Sequence, residues 1–251
     1  MQGFQKVVGH QEIITHLQNA ISMNKVSHAY LFGGESGSGK KMMASLFAMT
    51  LQCEKHGVEP CMECPSCKKA QSQNHPDIIY VKHEKPNTIS IDEIREQLIN
   101  DVMIKPYSSP YKIYIIDEAQ KLTLQAQNAL LKTIEEPPAY AVVMLLADNP
   151  DALLPTISSR CVQLNLKPVG DQLVKDYLMN EMHVPDYQAE VDASLAQGNI
   201  GKAERIARSP EYEETLESAL RMAKYADSMP LYEIVETIKK LTAEKDNIDD
   251  Y

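Results

Sequence analysis

The chain has 251 residues, of which 43% are hydrophobic and 24% are charged. This composition is ordinary for a globular protein and excludes collagen-like, low-complexity and wholly disordered chains. The 35 acidic residues outnumber the 25 basic ones and give a formal net charge of −10, so the whole molecule cannot wrap nucleic acid by bulk charge. The sequence has no signal segment and no apolar run of about 18 residues. We therefore expect a cytoplasmic protein without a membrane partner.

Apolar runs alternate with helical periods along the first two thirds of the chain, which favours helices packed around a parallel sheet. We predict four buried strands at 28–32, 78–81, 112–116 and 141–146, and four helices at 7–23, 39–51, 90–100 and 125–135. Ser90 followed by Glu93 is typical of a capping box at a helix start. The fourth helix should end before Pro137, because the residue before a proline avoids helical geometry.

Beyond Pro168 the pattern predicts only helices, at 171–179, 188–196, 202–207 and 212–245. Breaks at 168–170 and at Ser209-Pro210 suggest domain limits. We expect an α/β core over residues 1–168 with a cysteine-rich module at about 53–67, a small helical lid over 169–209, and the start of a further helical domain over 210–251.

The segment 34–41 (GESGSGKK) follows a predicted strand and opens a predicted helix, which is the setting of a phosphate-binding P-loop. Gly34, Gly37 and Gly39 let backbone N–H groups point inward, and Lys40 would reach the phosphates. The alternative is a glycine-rich turn that binds nothing. Where Ser or Thr would hold Mg²⁺, this chain has Lys41, which offers no acceptor and carries a like charge. We expect ATP or ADP binding to be weak or absent.

Two carboxylates, Asp117 and Glu118, follow the predicted strand at 112–116. This arrangement is typical of a Walker B element, with Asp117 near the metal and Glu118 able to orient water. The alternative is a strand with an acidic end. The two motifs together favour the P-loop ATPase fold.

Four of the five cysteines crowd together, at Cys53, Cys61, Cys64 and Cys67. Two-residue gaps on a tight turn can present thiolates to one tetrahedral centre, which a more distant cysteine can close. We predict a structural zinc site, the alternative being unrelated thiols or disulfides. His56 and His75 are expected to be surface loop residues, since four cysteines suffice as ligands.

Further segments carry a resemblance to a known family, namely 27–32 (SHAYLF), 74–77 (NHPD), 127–132 (QNALLK), 135–137 (EEP) and 158–161 (SSRC). Together with the cysteines they resemble the bacterial clamp loader subunits of the AAA+ class, over roughly residues 4–210. The resemblance implies a RecA-like P-loop core with a parallel sheet and a zinc-binding insertion. A helical lid and an all-α collar should follow. Because family members continue well beyond position 251, we expect a truncated chain or a short collar.

Members of this family load a ring-shaped sliding clamp onto primed DNA as a five-subunit assembly. The degenerate nucleotide motif is more similar to the delta prime subunits, usually described as rigid stators, than to the gamma/tau motors. The resemblance implies gamma/tau and delta subunits as partners, the clamp and primed DNA being reached through the complex. It implies a subunit without polymerase activity and with little or no ATPase activity. The intact Asp117-Glu118 pair favours the alternative, a gamma/tau-type motor, and a zinc-dependent adaptor outside replication is a third possibility.

Arg160 lies in a segment that matches the family's SRC motif. The resemblance implies an arginine finger that faces ATP bound by the neighbouring motor subunit. From the residues alone, an arginine here could equally cap a helix or pair with a nearby acid. Cys161 is expected to pack the loop rather than to bind metal. Gly201 aligns with the position where motor subunits carry a sensor arginine.

Overall fold

The structure, a computed structural model, describes residues 3–209 and four isolated positions, Lys224, Pro230, Tyr232 and Val235. The predicted helix at 212–245 therefore lies outside the described residues, apart from these four positions.

A five-stranded parallel sheet forms the centre of the molecule, in the order β2-β3-β4-β1-β5. Its strands are β1 (Ala29–Gly33), β2 (Ile78–Val81), β3 (Lys112–Ile116), β4 (Ala141–Ala147) and β5 (Val162–Asn165). Every residue of β1, β3 and β4 is buried, which explains the continuous apolar runs of these strands. The four predicted strands are confirmed to within one residue. The sequence analysis missed β5, an edge strand in which only Leu164 is fully buried, so it has no apolar run.

Helices cover both faces of the sheet. They are α1 (Gln11–Ser22), α2 (Lys40–Leu51), α3 (Pro65–Gln71), α4 (Ile91–Ile94), α5 (Leu124–Glu135) and α6 (Pro155–Ser158). On β1, Tyr30 and Phe32 pack with α1, α2 and α3, whereas Ala29 and Leu31 pack with α4, α5 and α6. This alternation places one apolar core on each side of the sheet.

The predicted capping box is confirmed at the start of α4. The Ser90 hydroxyl accepts from the Glu93 N–H, and the Glu93 carboxylate accepts from the Ser90 N–H at 2.6 Å. The helix continues through a π-helical turn over Arg95–Ile99. These residues connect β2 to β3 as one crossover.

Within residues 3–209, three helices follow the core: α7 (Asp171–Glu181), α8 (Asp186–Ala196) and α9 (Ile200–Arg208). We call residues 169–209, which contain these helices, the lid. The lid has its own apolar cluster, built from Val174, Leu178, Ala189, Ala193, Ala196, Ala203 and Ile206. Within the part of the chain that the structure describes, no helix has the length and apolarity needed to span a bilayer.

Replacing Met144 by Ala should lower the free energy of unfolding by about 2–5 kcal/mol, because a buried long side chain leaves a cavity when truncated. Met144 lies on β4 and is fully buried, whereas Met103 is 75% exposed and provides the matched control. Urea unfolding of both variants measures the difference. Equal costs for Met144→Ala and Met103→Ala would contradict this placement of the core.

Candidate functional site

The phosphate loop, Asp117 and Asp148 all lie where parallel strands end. The loop follows β1, Asp117 follows β3, and Asp148 follows β4. Since β4 lies between β1 and β3, Asp148 comes between the loop and Asp117. Open parallel sheets place their binding crevices at this edge.

The chain's own groups bind the Lys40 ammonium group. Lys40 Nζ donates to the backbone oxygens of Gly34 at 2.6 Å and Glu35 at 2.8 Å, and to Asp148 Oδ1 at 2.6 Å. The Lys40 side chain is only 8% exposed. An ammonium group has three protons, so these three acceptors use its whole donor capacity. A phosphate would have to displace at least one of them.

Lys41 forms an ion pair with Asp117, with 3.0 Å between Nζ and Oδ2. The ammonium group thus lies beside the carboxylate that would hold Mg²⁺ in a Walker B element. Because Lys41 offers no oxygen ligand and repels a cation, the residues as arranged do not fit a magnesium-nucleotide complex. The predicted site residues Gly34, Lys40, Lys41 and Asp117 are therefore together in space, but they bind one another and Asp148.

Glu118 is held by two other side chains. Its Oε1 accepts from Lys121 Nζ at 2.6 Å, and its Oε2 lies 3.3 Å from His83 Nε2. Its backbone is left-handed, with φ of 51°. Residues other than Gly, Asn and Asp rarely adopt this conformation, so the turn after β3 holds Glu118 in a strained position.

Asp148 is the residue of this site that the sequence analysis missed. Its carboxylate also accepts from Gln120 Nε2 at 3.1 Å. A signal existed in the sequence, since Asp148 follows the buried strand β4 just as Asp117 follows β3. The pairing with Lys40 joins residues 108 positions apart, however, and no local pattern reports such a contact.

The four predicted ligands meet in one cluster. The sulfur atoms of Cys53, Cys61, Cys64 and Cys67 lie within 4.8 Å of one another. Backbone N–H groups donate to three of them at 3.4 Å: Cys61 to Cys53, Cys64 to Cys61, and Cys67 to Cys64. N–H groups of Glu63 and Cys64 lower the pKa of Cys61 to about 6, whereas burial raises the pKa of Cys67.

This donor set fits a structural metal ion. All five cysteines lie within the described residues, and none of them forms a disulfide in the structure. Cys53 follows α2, and Cys64 caps α3, whose first turn contains Cys67. When bound, zinc would hold the ends of these two helices together through four thiolates, which leaves no open coordination position.

Cys67→Ser should remove bound zinc and unfold the module at 53–67 while leaving most of the sheet folded, because one of four ligands is lost. Cys161→Ser is the matched control, since Cys161 lies outside the cluster. Elemental analysis gives the zinc content and circular dichroism reports the folding. An equimolar zinc content in Cys67→Ser would contradict the assignment, and so would global loss of secondary structure on chelation.

The expectation for His75 is wrong, whereas His56 is exposed as expected. His75 is only 4% exposed; its Nε2 lies 3.1 Å from Ser66 Oγ, and its Nδ1 accepts from the Asp77 N–H. Burial lowers the pKa of His75. The histidine therefore links α3, beside the cysteine cluster, to the start of β2, and it is not a member of the cluster.

Arg160 lies between α6 and β5, and its side chain is 40% exposed. One guanidinium nitrogen lies 2.9 Å from Glu135 Oε1, and another donates to the Thr156 backbone oxygen at 2.9 Å. Both contacts expected from the residues alone are thus present, an acid pair and a helix cap. The sequence analysis did not identify Glu135 as the partner. Cys161 packs against the apolar core beside it, and burial raises its pKa to about 12.

Arg160 lies at the end of the sheet where the parallel strands begin, whereas the chain's own phosphate loop lies at the end where they finish. Arg160 precedes β5, whereas the loop follows β1, and the parallel register pairs Tyr30 with Val162 and Gly33 with Asn165. The three residue steps from Val162 to Asn165, at about 3.3 Å each, separate the two ends of the strands by roughly 10 Å. Arg160 is therefore turned away from the nucleotide motif of its own chain.

Residues 9–170 match the family model described as DNA polymerase III, delta subunit. The Bacillus subtilis subunit tau is 38% identical over 208 residues, covering 80% of this chain and 36% of that protein. The subunit delta' of the same organism is 35% identical over 207 residues, with coverages of 82% and 61%. Subunit tau/gamma of Haemophilus influenzae is 39% identical over 204 residues, with coverages of 78% and 29%. The matched part thus spans about one third to three fifths of these relatives.

Two solved structures show the same fold. A DNA polymerase III gamma subunit-related protein from Thermotoga maritima aligns with a TM-score of 0.50 at 22% identity, covering 91% of this chain and 77% of that one. The RuvB Holliday junction branch migration motor of the same organism aligns with a TM-score of 0.55 at 17% identity, with coverages of 99% and 74%.

The sheet order, the phosphate loop and the helical lid define a P-loop protein of the AAA+ class with a RecA-like core. Within that class, the chain belongs to the DNA polymerase III delta subunit family. This confirms the clamp loader resemblance seen in the sequence. The relatives include subunits named delta' and subunits named tau or gamma.

Proposed function

We propose that the chain is a clamp loader subunit of DNA polymerase III of the delta prime type. It acts as a stator that does not hydrolyse nucleotide itself and helps load the sliding clamp on primed DNA. Its partners are the gamma/tau and delta subunits. The observation that carries the proposal is the ion pair between Lys41 and Asp117.

The ion pair favours a stator because of what ATP hydrolysis requires. A P-loop ATPase holds Mg²⁺ between the hydroxyl after the loop lysine and the Walker B carboxylate. Here Lys41 replaces the hydroxyl by an ammonium group and also neutralises Asp117. Asp148 does the same to Lys40, so both loop lysines are paired with acids before any ligand arrives.

Arg160 supplies the proposed contribution to catalysis. A guanidinium group can spread over the charge that develops on a γ-phosphate. Arg160 and the phosphate loop of its own chain lie at opposite ends of the parallel strands. The γ-phosphate would therefore belong to ATP bound by an adjacent gamma/tau subunit. In the isolated chain the Arg160 guanidinium is paired with Glu135. On assembly, phosphate oxygens of the neighbour's ATP would replace that carboxylate, so the guanidinium keeps an anionic partner.

The proposed domain division follows the same scheme. Residues 1–168 act as the core and carry Arg160 and a structural zinc ion in the module at about 53–67. Residues 169–209 act as the lid, and residues 210–251 begin the collar through which the loader assembles.

The alternative is a motor subunit of the gamma/tau type. It is favoured by the intact Asp117-Glu118 pair and by the 38% identity to the Bacillus subtilis tau subunit. The family match argues against an adaptor outside replication.

The isolated chain should show no steady ATP turnover with Mg²⁺ above the level of its Lys40→Ala variant, because no hydroxyl holds the metal. A phosphate-release assay on both proteins measures this. Turnover that Lys40→Ala abolishes would favour the motor alternative. Lys41→Thr in the same assay tests whether the missing hydroxyl is the cause.

In a loader reconstituted with gamma/tau, delta and the clamp, Arg160→Ala should slow DNA-stimulated ATP hydrolysis at the neighbouring site by about 10³-fold or more, as for other arginine fingers. The total ATP hydrolysis of the loader should fall by the fraction that this one site contributes. Glu135→Gln is the matched control, since it removes the resting partner of Arg160 and leaves the guanidinium intact. Unchanged hydrolysis in Arg160→Ala would rule out the in-trans role.

A further inference from the structure

The lid rests directly on the phosphate loop. The Gly201 N–H donates to the Gly37 backbone oxygen at 3.0 Å, and Asn199 Nδ2 donates to the Ser36 backbone oxygen at 2.8 Å. Both acceptors belong to the phosphate loop, and both donors lie at the start of α9. Two hydrogen bonds thus join segments more than 160 positions apart in the sequence.

The approach of the two backbones requires glycine on both sides. A Cβ on Gly201 would lie 2.6 Å from Gly37 Cα and 2.7 Å from the Gly37 backbone oxygen. A Cβ on Gly37 would lie 2.6 Å from Asn199 Oδ1, and Gly37 has a positive φ of 85°. Contacts this short do not occur with real side chains, so a side chain at either position would push α9 away from the loop.

Asn199 has a second role that fixes its orientation. Its Oδ1 accepts from the Lys202 N–H at 3.0 Å and so caps α9, while its Nδ2 binds the phosphate loop. The residue is only 8% exposed. One buried amide group therefore ties the first turn of α9 to the loop.

A small cavity lies between the lid and the loop. The cavity lined by Glu35, Ser38, Val169 and Asn199 has a volume of about 20 Å³. Such a volume holds about one water molecule, whereas ligand pockets usually measure about 300–1,000 Å³.

We propose that Asn199 and Gly201 form a latch that fixes the lid on the phosphate loop and that must open before a nucleotide can bind. The position of the lid relative to the core is then set by the chain's own contacts. The apparent nucleotide affinity is then the affinity of the open form multiplied by the fraction of molecules in which the latch is open. Its consequence for a rigid stator rests on the proposed function, whereas the latch itself is a property of the isolated chain.

Two variants break the latch by different means. Gly201→Ala introduces the excluded Cβ, and alanine favours a helix, so α9 itself is not weakened. Asn199→Asp keeps the acceptor for the Lys202 N–H but loses the donor to Ser36. Gly170→Ala is the matched control, since Gly170 lies at the N-terminus of the lid helix α7 and a Cβ there would meet nothing within 4 Å.

Hydrogen exchange of the full chain reads the latch directly. Amides in 34–41 and 198–206 should exchange about tenfold faster in Gly201→Ala and Asn199→Asp, the effect expected for loss of one hydrogen bond that holds a local unit closed. Exchange in β4 and throughout Gly170→Ala should match the wild type. Wild-type protection of both segments in both variants would overturn the proposal.

A second measurement tests the link to nucleotide. Titration calorimetry with ATP in magnesium-free buffer should give an affinity about tenfold higher in the latch variants than in the wild type and Gly170→Ala. Equal affinities in all four proteins would show that the latch does not oppose nucleotide and would overturn that part. Neither measurement involves Arg160 or another subunit, so failure of the latch and failure of the stator role give different results.

Discussion

Two ion pairs between lysines of the phosphate loop and carboxylates of the neighbouring strand ends determine what this site can do. Lys40 binds Asp148, and Lys41 binds Asp117. The sheet positions both carboxylates, because Asp148 follows β4, Asp117 follows β3, and these neighbouring parallel strands finish side by side. The loop therefore keeps the shape of a phosphate site while its positive charge is matched from within. A ligand would have to compete with the carboxylates of Asp148 and Asp117, which belong to the same chain as the two lysines.

The same sheet separates the two functional regions of the chain. The strand ends carry the phosphate loop and its acids, whereas Arg160 precedes β5 at the opposite edge. The parallel sheet thus separates the guanidinium group of Arg160 from the chain's own nucleotide motif, as the proposed in-trans role requires. The cysteine cluster is independent of both, because it lies between α2 and α3 on one face of the sheet.

Sequence patterns predicted the features that are local. Continuous apolar runs predicted β1, β3 and β4. Residue spacing alone predicted the cysteine cluster and the phosphate loop. The sequence did not reveal β5, which has a single buried residue, or the burial of His75, which packs against Ser66 of α3. Asp148, Glu135 and Asn199 were missed because each acts through a residue at least 25 positions away, and a single sequence carries no record of such pairs.

The distribution of the closing contacts bears on how such a chain can change over evolutionary time. The obstacles to a metal-nucleotide complex come from separate segments: Lys41 at the start of α2, Asp148 after β4 and Gly201 in α9. A single substitution at one of them leaves the others in place. A complete metal-nucleotide site would need changes in all three segments, and each change would remove an internal contact of the chain. The closed state of the site is therefore supported redundantly, because the loss of any one contact leaves the other two in place.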